Sequence, residues 1–286
     1  MKTLSLAILT NITFFAFIIC SAPALSSVLD YSRVINLSGK QRMLTQKMSK
    51  EAVLIALDVD TENNLKNLQQ TRDLFDKTLK GLRNGDADLG LPATKTAKII
   101  GALDEVDNLW LDFDKAVTQI ITNSEVSDND IKTIADNNVE LLKAMNKCVK
   151  LYEAAASGGD MNPALAIAIN LSGRQRMLTQ KMSKEYFMIA KGYEVDSYKA
   201  NLTETIALFD TTLTGLIEGD VDTGLSPAPT DEITEQLKKV QGLWITFKEK
   251  IETQPTPENI SSIAADNIIL LQEMDKSVKM FEKLGQ

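Results

Sequence analysis

A chain of 286 residues, 44% hydrophobic and 24% charged, has the composition of a folded globular protein and room for two domains with separate cores. Its net charge of −8 and its lack of a basic domain or aromatic–basic platform argue against a nucleic-acid partner. It has no histidine, which removes histidine-based catalysis and the usual histidine metal sites, and Cys148, the only thiol after Cys20, lacks an imidazole to activate it. Neither an enzyme nor a cofactor is expected.

The chain opens like an export signal. Lys2 supplies a positive start, Leu4–Ile19 is largely apolar, and Ala22-Pro23-Ala24 fits a small-x-small cleavage site. The apolar run is short for a membrane span, which takes about 20 residues. Phe17-Ile18-Ile19 lacks the small residue that precedes a lipidated cysteine, so cleavage after Ala24 is preferred to lipid anchoring at Cys20. Residues 1–24 are expected to be a signal peptide, leaving a periplasmic or secreted protein without its own signalling output. Asn36, Asn170, Asn201 and Asn259 begin N-x-Ser/Thr triplets, which matter only in a eukaryotic secretory host.

Helical apolar spacing then runs over 28–58, 62–83, 95–122 and 128–155. Val34, Leu37, Leu44, Met48 and Ile55 mark the packed seam of the first helix. Gly85-Asp86 to Pro92 is a turn-rich break, and Ser127 or Asp128, followed by Asp130, is an N-terminal capping signal for the fourth helix. Asp86/Asp88 and Asp220/Asp222 read as helix-terminating turns, because they lack the spaced ligands and closing glutamate of a calcium loop. Trp110, Trp244 and Cys148 read as core.

The whole pattern then repeats. Asn36–Glu51, NLSGKQRMLTQKMSKE, returns at Asn170–Glu185 as NLSGRQRMLTQKMSKE, an offset of 134 that Leu74-Phe75-Asp76, Gly81-Leu82 and Trp110 share with their copies. The offset falls to 129 by Met145 and Met274, with the missing residues expected around Asn123–Asp128. The expected fold is all-α: two tandem antiparallel up-and-down four-helix bundles, residues 25–157 and 163–286, joined through the breaker Ser157-Gly158-Gly159-Asp160.

On a helix at 100° per residue, the repeated motif places Arg42 away from the apolar seam, on a stripe with Ser38, Gly39, Thr45 and Gln46. The copy carries Arg176 with Ser172, Gly173, Thr179 and Gln180. Small residues let another helix approach closely, and a buried guanidinium then needs an anion, because an unpaired buried charge costs several kcal/mol. Its planar fork suits a planar oxyanion or a carboxylate. A plain solvated or acid-paired arginine fits the same spacing. Lys40, Lys47 and Lys50 fall on a third face and read as solvated, and Met43 and Met48 as packing.

GKQRMLTQKMSKE and GRQRMLTQKMSKEY resemble the signature of the NarX-like or PilJ-type sensor domain, found in nitrate/nitrite sensor kinases and type IV pilus chemoreceptors. The resemblance implies a four-helix bundle and, in the nitrate sensors, nitrate or nitrite held between the first helices of two protomers by paired arginines, matched here by Arg42 and Arg176. The pilus-type members share the signature, so nitrate does not follow from it. The duplication permits an intramolecular pseudo-dimer as well as a homodimer through the first helices. The reading is a binding protein that captures a small anion such as nitrate or nitrite and signals through a membrane receptor or sensor kinase. The alternative is a ligand-free interaction module docking on a chemoreceptor, sensor kinase or pilus component.

Overall fold

The computed structural model describes residues 30–286; the expected signal peptide, its cleavage site and Cys20 lie outside the described residues. Among the described residues eight helices follow one another: α1 Tyr31–Ala56, α2 Thr61–Asn84, α3 Ala97–Asn123, α4 Asp128–Ser157, α5 Pro163–Lys191, α6 Val195–Glu218, α7 Asp231–Ile251 and α8 Pro257–Leu284. They form two tandem up-and-down four-helix bundles, α1–α4 and α5–α8. Among the described residues, no helix is long and apolar enough to cross a membrane.

Local chemistry accounts for most of the boundaries. Ser127 accepts from the Asp130 backbone N–H at 3.1 Å while the Asp130 carboxylate accepts from the Ser127 N–H at 2.9 Å, a reciprocal capping box that starts α4. Asn162 caps α5 with Pro163 in its first turn, and Thr256 caps α8 with Pro257 in the same place. Gly85 and Gly219 end α2 and α6 at φ 84° and 89°, in the region open to glycine, and each leads into a tight turn in which Asp86 bridges Leu91 or Asp220 bridges Leu225. The two aspartates are thus helix-terminating turns. The repeat deletion, expected in the loop, falls largely in the helix before it: α3 has 27 residues and α7 has 21. Removing final helical turns leaves the packing nearer the middle of the bundle unchanged.

Each bundle core is built round a tryptophan. Trp110 packs on Phe75 at 4.3 Å between ring centroids, and Trp244 repeats this on Phe209 at 4.4 Å. Cys148 is fully buried among apolar side chains, and burial pushes its thiol pKa up to about 12.

The two bundles meet along α1 and α5, which pack directly on each other. The link from α4 to α5 is only residues 158–162, so α5 must start at the end where α4 stops. It therefore runs opposite to α4 and parallel to α1. Side chains confirm the register: Arg42 reaches Asn170 while Arg176 reaches Asn36, and farther along Lys184 reaches Gln46. N-terminal halves meet N-terminal halves, related by an approximate two-fold axis along the helix pair.

Candidate functional site in the helix pair at the centre

Arg42 and Arg176 are among the most deeply buried side chains of the protein, each 1% exposed. Each leaves its own bundle and crosses to the other repeat. Arg42 Nη2 donates to the backbone oxygen of Asn170 at 3.1 Å and to its Oδ1 at 2.8 Å. Arg176 Nη2 does the same to Asn36, at 3.2 and 2.6 Å. The glycines of the motif make the space: a Cβ on Gly39 would lie 3.3 Å from Arg42 Nη2, and one on Gly173 would lie 3.4 Å from Arg176 Nη2 and 3.8 Å from Arg42 Nη2. Gly173 thus marks the point where the two guanidiniums converge.

The two halves differ in one decisive partner. Arg176 Nη1 donates to the Asp275 carboxylate at 2.6 Å, whereas Arg42 Nη1 donates to the neutral amide oxygen of Asn146 at 2.8 Å. Asn146 and Asp275 occupy equivalent positions of the two repeats, 129 apart. Among the described residues, Arg42 has no carboxylate within ion-pair distance, and the Nε of each arginine is buried without a partner. Burial, reinforced by the charges of Arg174 and Arg176 and opposed by Glu153, pushes the Arg42 pKa down to about 9. Asp275, despite its burial, is held down to about 2 by Arg176 and Lys279. The asparagines are themselves oriented by acids, Asn36 donating to Glu282 and Asn170 to Glu153.

Beside Arg42 a cavity of about 260 Å³ opens to the surface, bordered by Asn146, Arg174, Lys143 and Lys181 with Glu204 as its one acid. The half of the interface in which the arginine lacks a carboxylate thus has a cavity with a basic border.

The other residues expected in the site divide into two groups. Gly39 and Gly173 lie against the guanidiniums. Ser38 and Ser172 turn their hydroxyls onto their own helices, on Ile35 O at 3.2 Å and Ile169 O at 3.1 Å. Thr45 and Thr179 do likewise, each on the carbonyl of its own arginine at 2.8 Å. Gln46 and Gln180 belong to a second polar layer farther along, where Gln46 Nε2 donates to Asn138 Oδ1 and Gln180 Nε2 to Asn267 Oδ1, both at 2.9 Å.

That second layer corrects the expectation that the motif lysines are solvated. Lys50 and Lys184 are each 5% exposed, and they cross between the repeats: Lys184 Nζ donates to Gln46 Oε1 at 2.9 Å and Asn138 Oδ1 at 3.0 Å, and Lys50 Nζ to Asn267 Oδ1 at 2.9 Å. A face that points to solvent in one bundle points into the interface of two. Burial pushes both ammonium pKa values down to about 8. In the sequence Asn36 and Asn170 stand out only as motif and N-x-Ser/Thr starts, and the Asn146/Asp275 difference between repeats carries no sign of its arginine partner.

The family model described as "Type IV pili methyl-accepting chemotaxis transducer N-term" matches residues 24–135 and again 161–266. The chain is also 27% identical over 158 residues to "Methyl-accepting chemotaxis protein McpN" of Pseudomonas aeruginosa, a match covering 54% of this chain and 29% of that protein. The chain thus spans about three-tenths of the length of this relative. With one match on each bundle, and each match containing one arginine-bearing first helix, the chain belongs to the family of type IV pilus methyl-accepting chemotaxis transducer N-terminal domains, carried in two tandem copies.

Proposed function

We propose that this chain is a sensor module that takes a small planar oxyanion, such as nitrate or nitrite, into the interface of its two first helices, with residues 25–157 and 163–286 as the two sensor domains. It acts outside the cytoplasm and passes its state to a membrane receptor or sensor kinase. The observation that carries this reading is the buried Arg42 guanidinium, facing Arg176 and lacking a carboxylate among the described residues. A buried cation held only by neutral oxygens is where a bound anion gains most, because charge-assisted bonds are about twice as strong as neutral ones. The anion enters from the cavity bordered by Arg174 and Lys143, and displaces the Asn146 or Asn170 oxygen from Arg42. Arg176, already neutralised by Asp275, contributes field and geometry instead of a second site.

Calorimetric titration with nitrate, nitrite and formate tests the reading. Binding is expected at about one anion per chain, lost in Arg42→Ala and kept or strengthened in Asp275→Asn, which leaves Arg176 without its carboxylate. No heat with any of the three anions sinks it.

A second reading has its own support. Both Nη atoms of each arginine already meet protein oxygens, so the interface is closed and hydrogen-bonded without a ligand. On that reading the module docks on a chemoreceptor, sensor kinase or pilus component, and a partner pull-down is unchanged by nitrate.

A further inference from the structure

A cleft larger than the one beside Arg42 lies away from the arginines. It lies at the far end of α1, between the α1–α2 turn and the first turns of α8, with a volume of about 710 Å³, within the range of roughly 300–1,000 Å³ usual for small-molecule sites. Its walls include Leu54, Leu57, Ile260 and Ala264, and Lys50 and Glu51 also line it.

The approximate two-fold axis supplies a control, because the equivalent place between α5 and α4 is built differently. There Lys191 pairs with Asp128 at 3.3 Å and Lys132 with Asp136 at 2.6 Å, and Tyr193 stands near them. At the matching positions the cleft has Leu57, Pro257, Ser261, Ala265 and Val59. Replacing two ion pairs and a tyrosine by small or apolar residues leaves α1 and α8 flanking an open groove with an apolar wall, while Asp58, Asp60, Asn64 and Asn67 line its α1–α2 side.

The polar groups behind the cleft are also unequal. Lys184 donates to two oxygens, Gln46 Oε1 and Asn138 Oδ1, whereas Lys50 donates to Asn267 Oδ1 alone among the described residues. The acceptor that Lys50 lacks, Gln180 Oε1, is left buried with no partner, whereas its copy Gln46 Oε1 accepts from Lys184. A buried ammonium with unused N–H donors is costly unless something anionic or polar completes it.

We propose that this cleft binds a small carboxylic acid with an apolar body, its carboxylate on Lys50 Nζ and its hydrocarbon against Leu54, Ile260 and Ala264. The inference does not rest on anion capture at Arg42. An apolar wall leading to one buried, under-bonded cation selects for the union of the two groups, so an alcohol of the same shape binds poorly. Burial keeps the Lys50 ammonium pKa near 8, and a bound carboxylate raises it, so binding takes up protons near that pH.

The test is titration calorimetry of the chain at pH 7 with 4-methylpentanoate and 3-phenylpropanoate, with 4-methylpentanol as the uncharged control. Saturable binding of at least one acid is expected, at least tenfold weaker for the alcohol, and unchanged by saturating nitrate. Lys50→Met and Ala264→Trp should each weaken it at least tenfold, while Lys184→Met and Arg42→Ala leave it intact. Ala264 is on the half-exposed wall, so Ala264→Trp carries the test if Lys50→Met does not fold. The proposal is overturned if neither acid binds at millimolar concentration, if nitrate displaces the acid, or if binding survives Ala264→Trp.

Discussion

At the scale of single residues, the exchange of Asn146 for Asp275 sets the charge balance of the whole interface. Asp275→Asn removes the one carboxylate on Arg176 while keeping shape and an acceptor oxygen, so it isolates charge from packing. A hydrogen bond to a charged group contributes about 1.5–3 kcal/mol, and a loss in that range is expected in urea denaturation. The mirror change, Asn146→Asp, gives Arg42 an internal anion. It should raise the urea midpoint and weaken nitrate binding at least tenfold by titration, since the new carboxylate competes with the ligand. If Asn146→Asp instead leaves nitrate affinity untouched, Arg42 is not where the anion sits. The sequence made Arg42 and Arg176 legible because their stripe, Ile35 and Ile169 apart, is small and polar. It hid Asn36, Asn170 and the buried lysines, because their partners belong to the other repeat and helical periodicity describes one helix at a time.

At the scale of elements, the helices were legible almost to the residue. The fourth was expected over 128–155 and spans Asp128–Ser157, since a capping box and a glycine break punctuate it. The shortened α7 was not, because an alignment offset locates a deletion but does not say whether loop or helix absorbs it. Glycines provide a test of what each helix face meets. Gly101 in α3 and Gly242 in α7 are exposed, with open space where a Cβ would sit. Replacing either with alanine should stabilise the protein by about 0.5–1 kcal/mol, the usual gain from lower backbone freedom in a helix. Gly81 in α2 differs: an added Cβ would approach Asp86 Cβ to 3.0 Å and the Leu91 side chain to 3.2 Å, in the turn that ends the helix. Gly81→Ala should therefore destabilise despite its better propensity, by about 1–3 kcal/mol of overpacking. Thermal melts of the three variants decide the matter, and stabilisation of Gly81→Ala would show that the Asp86–Leu91 turn yields readily.

At the scale of the whole molecule, the first helices of the two repeats pack on each other and bury a row of cations between them, a pairing the sequence left open between one chain and two. Four long basic side chains, Arg42, Arg176, Lys50 and Lys184, are buried along the α1–α5 contact, and among the described residues only the Asp275 carboxylate pairs directly with one of them. The consequence is a stability that depends on pH with a definite sign. Lys50 and Lys184 ordinarily titrate at 10.5 and are pushed down to about 8 in the folded chain, chiefly by burial; Glu51 and Glu185 oppose this and Lys47 and Lys181 add to it. Between about pH 8 and 10.5 the unfolded chain therefore holds protons that the folded chain has released, so stability rises with pH across that window and is lost again as pH falls through 8. Arg42, lowered to about 9, acts in the same direction. Buried Cys148 and Tyr152, both pushed up to about 12, work against the trend only from about pH 9 and pH 10 respectively, where the unfolded thiol and phenol ionise first, so the two lysines and Arg42 dominate below that. The melting temperature should thus climb from pH 7.5 to 9.5, at about 2–4 °C per kcal/mol gained in chains of roughly this size. In Lys50→Met/Lys184→Met the climb should be much reduced, with the double variant more stable than the parent at pH 7.5, since methionine fills the same space without a charge to desolvate. A parent profile that is flat or falling over this range would mean that anions or water enter the second layer and keep both lysines charged in the native state.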